Sequence, residues 1–205
     1  MFDKFRSLMN SGTVSGYFFQ AIPITLIVGV IYAIIRIAVI KKKKLGFNFG
    51  KELIKLLFVC YLTGLISLVI LPANFWLNLF DGILYGWWNN FTIFSFGYVN
   101  LVPSVFKALS GELTLGSWVK TMLIGNVAMF LPLGFFLPFV SKKINNKNIF
   151  LFAALIPVAV ELLQLIFGRS FDVDDLICNF IGIAAGYFIA RFIIGMTKQR
   201  SKKQF

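Results

Sequence analysis

The chain has 205 residues, of which 59% are hydrophobic, more apolar surface than a soluble domain of this length can bury. Its 20 Lys and Arg residues and net charge of +12 are concentrated in short polar segments, a pattern that orients membrane proteins and differs from a nucleic-acid-binding surface. There is no histidine, which excludes histidine acid–base chemistry and histidine-ligated metals. The composition therefore predicts an all-α, polytopic membrane helix bundle.

The hydrophobic runs predict five transmembrane helices, since about 20 apolar residues cross the hydrocarbon core. These spans are predicted at residues 17–40, 53–71, 118–140, 149–167 and 176–196. The aromatic segment 73–117 is broken by Asn, Gly and Asp81, so we expect an interfacial or re-entrant element there. The chain then divides into an N-terminal arm, two spans, the aromatic segment, a three-helix core and a basic tail, at 1–16, 17–72, 73–117, 118–197 and 198–205.

Loop charge predicts the orientation, because cytoplasmic loops carry an excess of Lys and Arg. The segments 36–55, 142–147 and 191–203 hold seven, three and five basic residues. They fall on one side of the membrane if the aromatic segment does not cross it. The opposite side then carries six of the eight acidic residues. The sequence predicts a multi-pass protein of the cell membrane with its N-terminus outside and its C-terminus in the cytoplasm.

Polar residues interrupt the last three predicted spans. Half of the eight acidic residues lie between Glu161 and Gly186. A charge at the centre of a membrane helix costs roughly 2.5–3.5 kcal/mol, so such residues indicate a functional site. A rise of about 1.5 Å per residue places the polar groups of the three spans at similar depths near the outer surface. The candidate ligand-binding cluster is Asn126, Glu161, Gln164, Arg169, Asp172, Asp175 and Asn179.

Each of these residues also has a simpler structural explanation. The amides can join neighbouring helices, the aspartates can be solvated or cap the last span, and Arg169 can pair with one of them. Glu161 is the hardest to explain in this way, because a carboxyl below the interface needs a partner or a proton. Gly182 and Gly186 continue the helical face of Asn179 as a GxxxG strip, which predicts close helix packing.

Four short motifs follow one another in the second half of the chain. They are NLVPS at 100–104, GNVAMFLPLGFFLP at 125–138, ELLQ at 161–164 and GRSFDVDDLICNFIGIAAGY at 168–187. With these motifs the chain resembles the VanZ-like family of bacterial membrane proteins over roughly residues 98–190, with Ser104 where that family usually has Phe. The resemblance implies a contribution to resistance against teicoplanin-type glycopeptides, and the family's motif positions coincide with the cluster. The Lys-, Asn- and Phe-rich composition is typical of a low-GC Gram-positive source.

Three functional hypotheses remain open. The first is a binding protein whose outer cluster holds or shields an amphiphile, such as a lipoglycopeptide or a lipid-linked cell-wall precursor. The second is an enzyme in which Glu161, Asp172, Asp174 and Asp175 hold a divalent cation for phosphoryl or glycosyl chemistry. No other metal or cofactor is expected, and catalytic residues are unassigned. The third is an accessory subunit whose polar strip meets a membrane protein partner.

Overall fold

A computed structural model describes residues 2–10, 13–88, 93–111 and 116–203. Within these ranges five helices are long and apolar enough to cross a membrane, at Ser15–Lys42, Phe49–Ile70, Val119–Val140, Ile149–Ile166 and Val173–Thr197. The protein is therefore an all-α, multi-pass membrane helix bundle, which confirms the predicted fold class. The chain forms two compact units. Unit 1 comprises Met1–Gly97 and Leu163–Arg169, and unit 2 comprises Tyr98–Leu162 and Ser170–Phe205.

Unit 1 begins with four helices. They are α1 at Phe2–Met9, α2 at Val14–Lys42, α3 at Phe49–Leu65 and α4 at Phe75–Tyr85, with α3 continued by a π-helical turn at Ile66–Ile70. The two long helices start at side-chain caps, because Gly16 N donates to Thr13 Oγ1 and Lys51 N donates to Asn48 Oδ1. Both helices contain a span with a mean hydropathy of 2.4, as a lipid-facing helix pair requires.

The N-terminal helix of unit 1 is attached to the aromatic segment by polar contacts. The guanidinium of Arg6 donates two hydrogen bonds to the Asp81 carboxylate, at 3.0 and 2.8 Å. Gln20, which is buried, donates at 2.9 Å to both Met9 O and Asn74 Oδ1. The charged Asp81, which marked this segment as unsuited to a span, is thus held in an ion pair.

The aromatic segment contains only short helices where it is described. Helix α4 has 11 residues, a length of about 16 Å at 1.5 Å per residue, which is too short to cross the hydrocarbon core. Helix α5, Ser104–Leu109 in unit 2, has six. The described part of 73–117 therefore holds no membrane span, as predicted, whereas 89–92 and 112–115 lie outside the described residues.

Unit 2 is built mainly on one helix pair. It contains α5, α6 at Ser117–Val140, most of α7 at Ile149–Ile166, and α8 at Val173–Lys203, with a short parallel pairing of β1 at Val99–Asn100 and β2 at Phe171–Asp172. Helices α6 and α8 share the most extensive contact of any two elements described. Fully buried side chains on the two helices include Phe130 of α6 and Ile183 and Tyr187 of α8.

Glycines bring the backbones of α6 and α8 together. A Cβ atom added to Gly182 would meet the Val127 carbonyl oxygen, and one added to Gly186 would meet the backbone of Leu131 and Phe135. Only a residue without a side chain fits at such positions, which is the packing expected of small-xxx-small strips in membranes. The two glycines of the predicted GxxxG strip therefore lie where these helices approach each other closely.

Candidate functional site

The N-terminus of α8 is organised by Asp172. Its Oδ1 accepts a hydrogen bond from Asp174 N at 2.9 Å, which caps the helix. Its Oδ2 accepts from Asn100 Nδ2 at 2.9 Å, and the two residues are register partners in the β1–β2 pairing. Because of this cap the helix begins at Val173, three residues before the predicted span, so that Asp174 and Asp175 lie in its first turn, where the helix dipole favours negative charge.

Glu161 holds the same turn from helix α7. Its side chain is completely buried, and Oε2 accepts a hydrogen bond from Asp172 N at 2.9 Å. Burying a carboxyl group costs free energy unless the group is hydrogen-bonded. This contact therefore offsets part of the cost of burying Glu161. Glu161 does not face lipid, and it supports the residue that caps α8.

The next two aspartates bind other elements of unit 2. Asp174 is buried, and its Oδ2 accepts from Ser104 N at 2.9 Å, at the start of α5. Asp175 Oδ1 accepts a hydrogen bond from Asn126 Nδ2, which joins α8 to α6. Consecutive carboxylates at the start of one helix therefore attach it to two different neighbours.

Asn179 lies one helical turn beyond Asp175 and is almost completely buried. Its Oδ1 has no hydrogen-bond partner among the residues that the structure describes. Since buried polar atoms are usually satisfied by protein or by ordered water, this oxygen marks a position where a hydrogen-bond donor fits. The sequence placed Asn179 and Asp175 on one face at i,i+4, and that face is the one packed against α6.

Four members of the site lie outside the predicted ligand-binding cluster: Asn100, Ser104, Lys107 and Asp174. Of these, only Asp174 is a candidate from the sequence, in the metal hypothesis. Lys107 Nζ donates to Asn100 Oδ1 at 2.9 Å, and Asn100 in turn contacts Asp172. A cation and a carboxamide therefore extend the network beyond the acidic turn. The NLVPS motif contained the signal for Asn100, while Lys107 lies one α5 turn after that motif and carried none of its own. We use the name α8 polar cluster for Asn100, Ser104, Lys107, Asn126, Glu161, Asp172, Asp174, Asp175 and Asn179.

Gln164 and Arg169 have contacts of a different kind, within unit 1. Gln164 Nε2 donates to Val69 O at 2.9 Å. Arg169 Nη1 donates to Leu68 O at 3.0 Å and to Leu71 O at 3.4 Å. These carbonyls end the second span, where a helix leaves its last acceptors unsatisfied and favours a nearby cation. Both residues therefore cap that helix end, and their predicted role as ligand contacts stays a prediction.

The carboxylates of the α8 polar cluster point to separate partners. Asp172, Asp174 and Asp175 accept hydrogen bonds from Asn100, Ser104 and Asn126, respectively. Within the described ranges no group of three or more Asp, Glu, Cys or His side chains is arranged to hold a metal ion. The arrangement is that of a hydrogen-bonded network with one ammonium group at its edge.

A family model described as VanZ/LLP1 matches residues 58–194, about two thirds of the chain. The match begins within α3, well before the motifs that carry the resemblance, and includes the whole α8 polar cluster. Comparison with curated proteins gave no match, and comparison with solved structures gave none either. On the strength of the family match, the chain belongs to the VanZ/LLP1 family.

Proposed function

We propose that the α8 polar cluster binds or shields an amphiphilic ligand and that the protein thereby contributes to resistance against teicoplanin-type glycopeptides. The ligand is the lipoglycopeptide itself or a lipid-linked cell-wall precursor. Family membership supports the resistance role. The observation that carries the binding role is a polar network bordered by exposed apolar side chains on the same short segment.

That border is formed by the residues around the NLVPS motif. Leu101 and Phe106 are 67% and 64% exposed, and they are chain neighbours of Asn100 and Lys107. An amphiphile presents a polar head and an apolar tail, so both parts meet suitable groups here. Lys107 supplies the positive charge for a phosphate or carboxylate.

Loop charge supports an orientation with the N-terminus outside and the C-terminus in the cytoplasm. In this orientation the start of α8 faces the outer leaflet, where lipid-linked wall precursors and lipoglycopeptides are encountered. Such a ligand would thus reach the α8 polar cluster from the outer membrane surface, without transport across the membrane.

The experiment is a glycopeptide susceptibility panel in a deletion strain complemented with single-site variants. Lys107→Gln removes the ammonium group and Glu161→Gln removes the buried carboxylate that holds Asp172 N. We expect both variants to reach the membrane and to give the susceptibility of the empty-vector strain. The control is Lys143→Gln, an exposed lysine after α6, which should protect like the unmodified protein.

Protection that survives both substitutions at normal membrane levels would contradict the proposal.

A direct measurement separates binding from catalysis. Purified protein in nanodiscs is mixed with a fluorescent lipoglycopeptide, and affinity is compared between the unmodified protein and Lys107→Gln. Turnover of an added lipid phosphate, with and without chelator, would instead favour the enzyme hypothesis. Stoichiometric co-purification of another membrane protein would favour the accessory subunit.

A further inference from the structure

The turn between the first two spans carries a dense basic surface. Helix α2 ends at Lys42 and α3 begins at Phe49, so both helices enter the membrane from this turn. Lys41–Lys44 and Lys51 are all exposed. Because the turn joins two spans, these five ammonium groups lie at the level of the lipid headgroups.

Acidic side chains of the same region do not neutralise this surface. Glu52 is the single acidic residue between positions 36 and 55. Arg36 donates to it at 2.6 and 2.9 Å, and Lys55 Nζ donates at 2.8 Å. No ion pair within the described residues involves Lys41–Lys44 or Lys51. Glu52 is thus bound by Arg36 and Lys55 and does not pair with the lysines of the turn.

Exposed apolar side chains lie within the same turn as these lysines. Leu45, Phe47 and Phe49 are 45%, 64% and 69% exposed, and they lie between the four-lysine run and Lys51. Aromatic and aliphatic side chains settle at the boundary between headgroups and acyl chains, while lysine stems reach outward to phosphate oxygens. The second basic turn, at 142–147, has three exposed lysines, but it contains Asn145 and Asn146 and no Phe.

We propose that residues 41–51 bind the headgroups of anionic phospholipids. Polybasic segments next to a membrane helix attract anionic lipid, and each lysine near the surface adds to the attraction. The exposed Phe side chains hold the turn at the depth where the phosphates lie. This inference is independent of the proposed function, because it concerns unit 1 and requires neither a glycopeptide nor a particular orientation.

The test uses purified protein reconstituted in phosphatidylcholine vesicles that contain phosphatidylglycerol. Electron spin resonance compares the motionally restricted fraction of spin-labelled phosphatidylglycerol with that of spin-labelled phosphatidylcholine. We expect the anionic label to be preferred by about fivefold at low salt, the effect of one lysine near the surface. Replacing Lys42, Lys43 and Lys44 with Gln should remove most of this preference. The matched control replaces Lys142, Lys143 and Lys147 with Gln and should retain most of it.

An equal loss in the two triple variants, or no preference in the unmodified protein, would overturn the proposal. If the first triple variant does not fold, the unmodified protein supplies the second test. Raising NaCl to about 1 M shortens the screening length to about 3 Å and should abolish the preference. A preference that persists in high salt would show that charge at this turn does not hold the lipid.

Discussion

Adding one methyl group to Gly186 should separate the two central helices of unit 2. In Gly186→Ala the new Cβ lies 2.8 Å from the Phe135 amide nitrogen and closer still to the Leu131 carbonyl oxygen. Ordinary contacts between heavy atoms lie at about 3.5–4.0 Å, so α8 must move away from α6 by about 1 Å. The obstacle is backbone, which cannot turn aside as a flexible side chain does.

The expected magnitude follows from two opposing effects. Overpacking of this kind costs about 1–3 kcal/mol, and we take the upper value because backbone blocks the site. Alanine is favoured over glycine in a helix by about 1 kcal/mol. The net destabilisation is then about 2 kcal/mol, which lowers the melting temperature of a chain of this length by about 4–8 °C.

The assay is thermal unfolding of purified protein in one detergent, followed by circular dichroism. Gly195→Ala is the matched control, since it lies in the same helix and a Cβ there meets nothing within 4 Å. Only the helix-propensity effect remains, so its melting temperature should rise by about 2–4 °C. Equal shifts in the two variants would refute close packing of α6 and α8 at Gly186.

Two further substitutions test single hydrogen bonds. Arg169→Gln removes the donor to the carbonyls of Leu68 and Leu71. It should lower the free energy of unfolding by about 1–3 kcal/mol. An unchanged melting temperature would show that these hydrogen bonds do not stabilise the protein. Tyr187→Phe removes the hydroxyl that donates to Asn146 Oδ1 at 2.8 Å and should cost about 1 kcal/mol, and a loss of several kcal/mol would indicate that the ring, rather than the hydroxyl, has been displaced.

The spans could be predicted from the sequence because hydrophobic length is a local property. All five predicted spans end within two residues of the C-terminal ends of the observed spans. The start of α8 differs because hydropathy assigns polar residues to a loop, whereas the helix begins where Asp172 caps it. A cap depends on hydrogen-bond geometry, to which a hydropathy pattern is insensitive.

The site could be predicted only in part. Periodicity placed Asp175 and Asn179 on one helical face, and depth brought Asn126 to their level. The contribution of Asn100 depends on strand pairing across 72 residues, a contact of high sequence separation that no local pattern encodes. The segment 73–117, which contains Asn100 and Lys107, is rich in aromatic residues and shows no regular spacing of polar residues. The sequence pattern therefore did not mark Lys107. The contacts of Arg169 with Leu68 O and Leu71 O could not be predicted, because the acceptors are backbone carbonyls and every residue carries one.

The contacts of Lys107 determine which headgroup the proposed ligand of the α8 polar cluster should carry. In the present structure its ammonium group donates to Asn100 Oδ1, while Asn100 Nδ2 donates to Asp172. The hydrogen bond to Asn100 is charge-assisted through the ammonium group alone, whereas a phosphate or carboxylate that takes the ammonium group adds a full negative charge on the acceptor side. Asn100 can remain bound to Asp172 during this exchange, so the cap of α8 is preserved. The proposed function therefore predicts that this edge selects amphiphiles with a negatively charged head, because a neutral headgroup gains little over the Asn100 contact that it would replace.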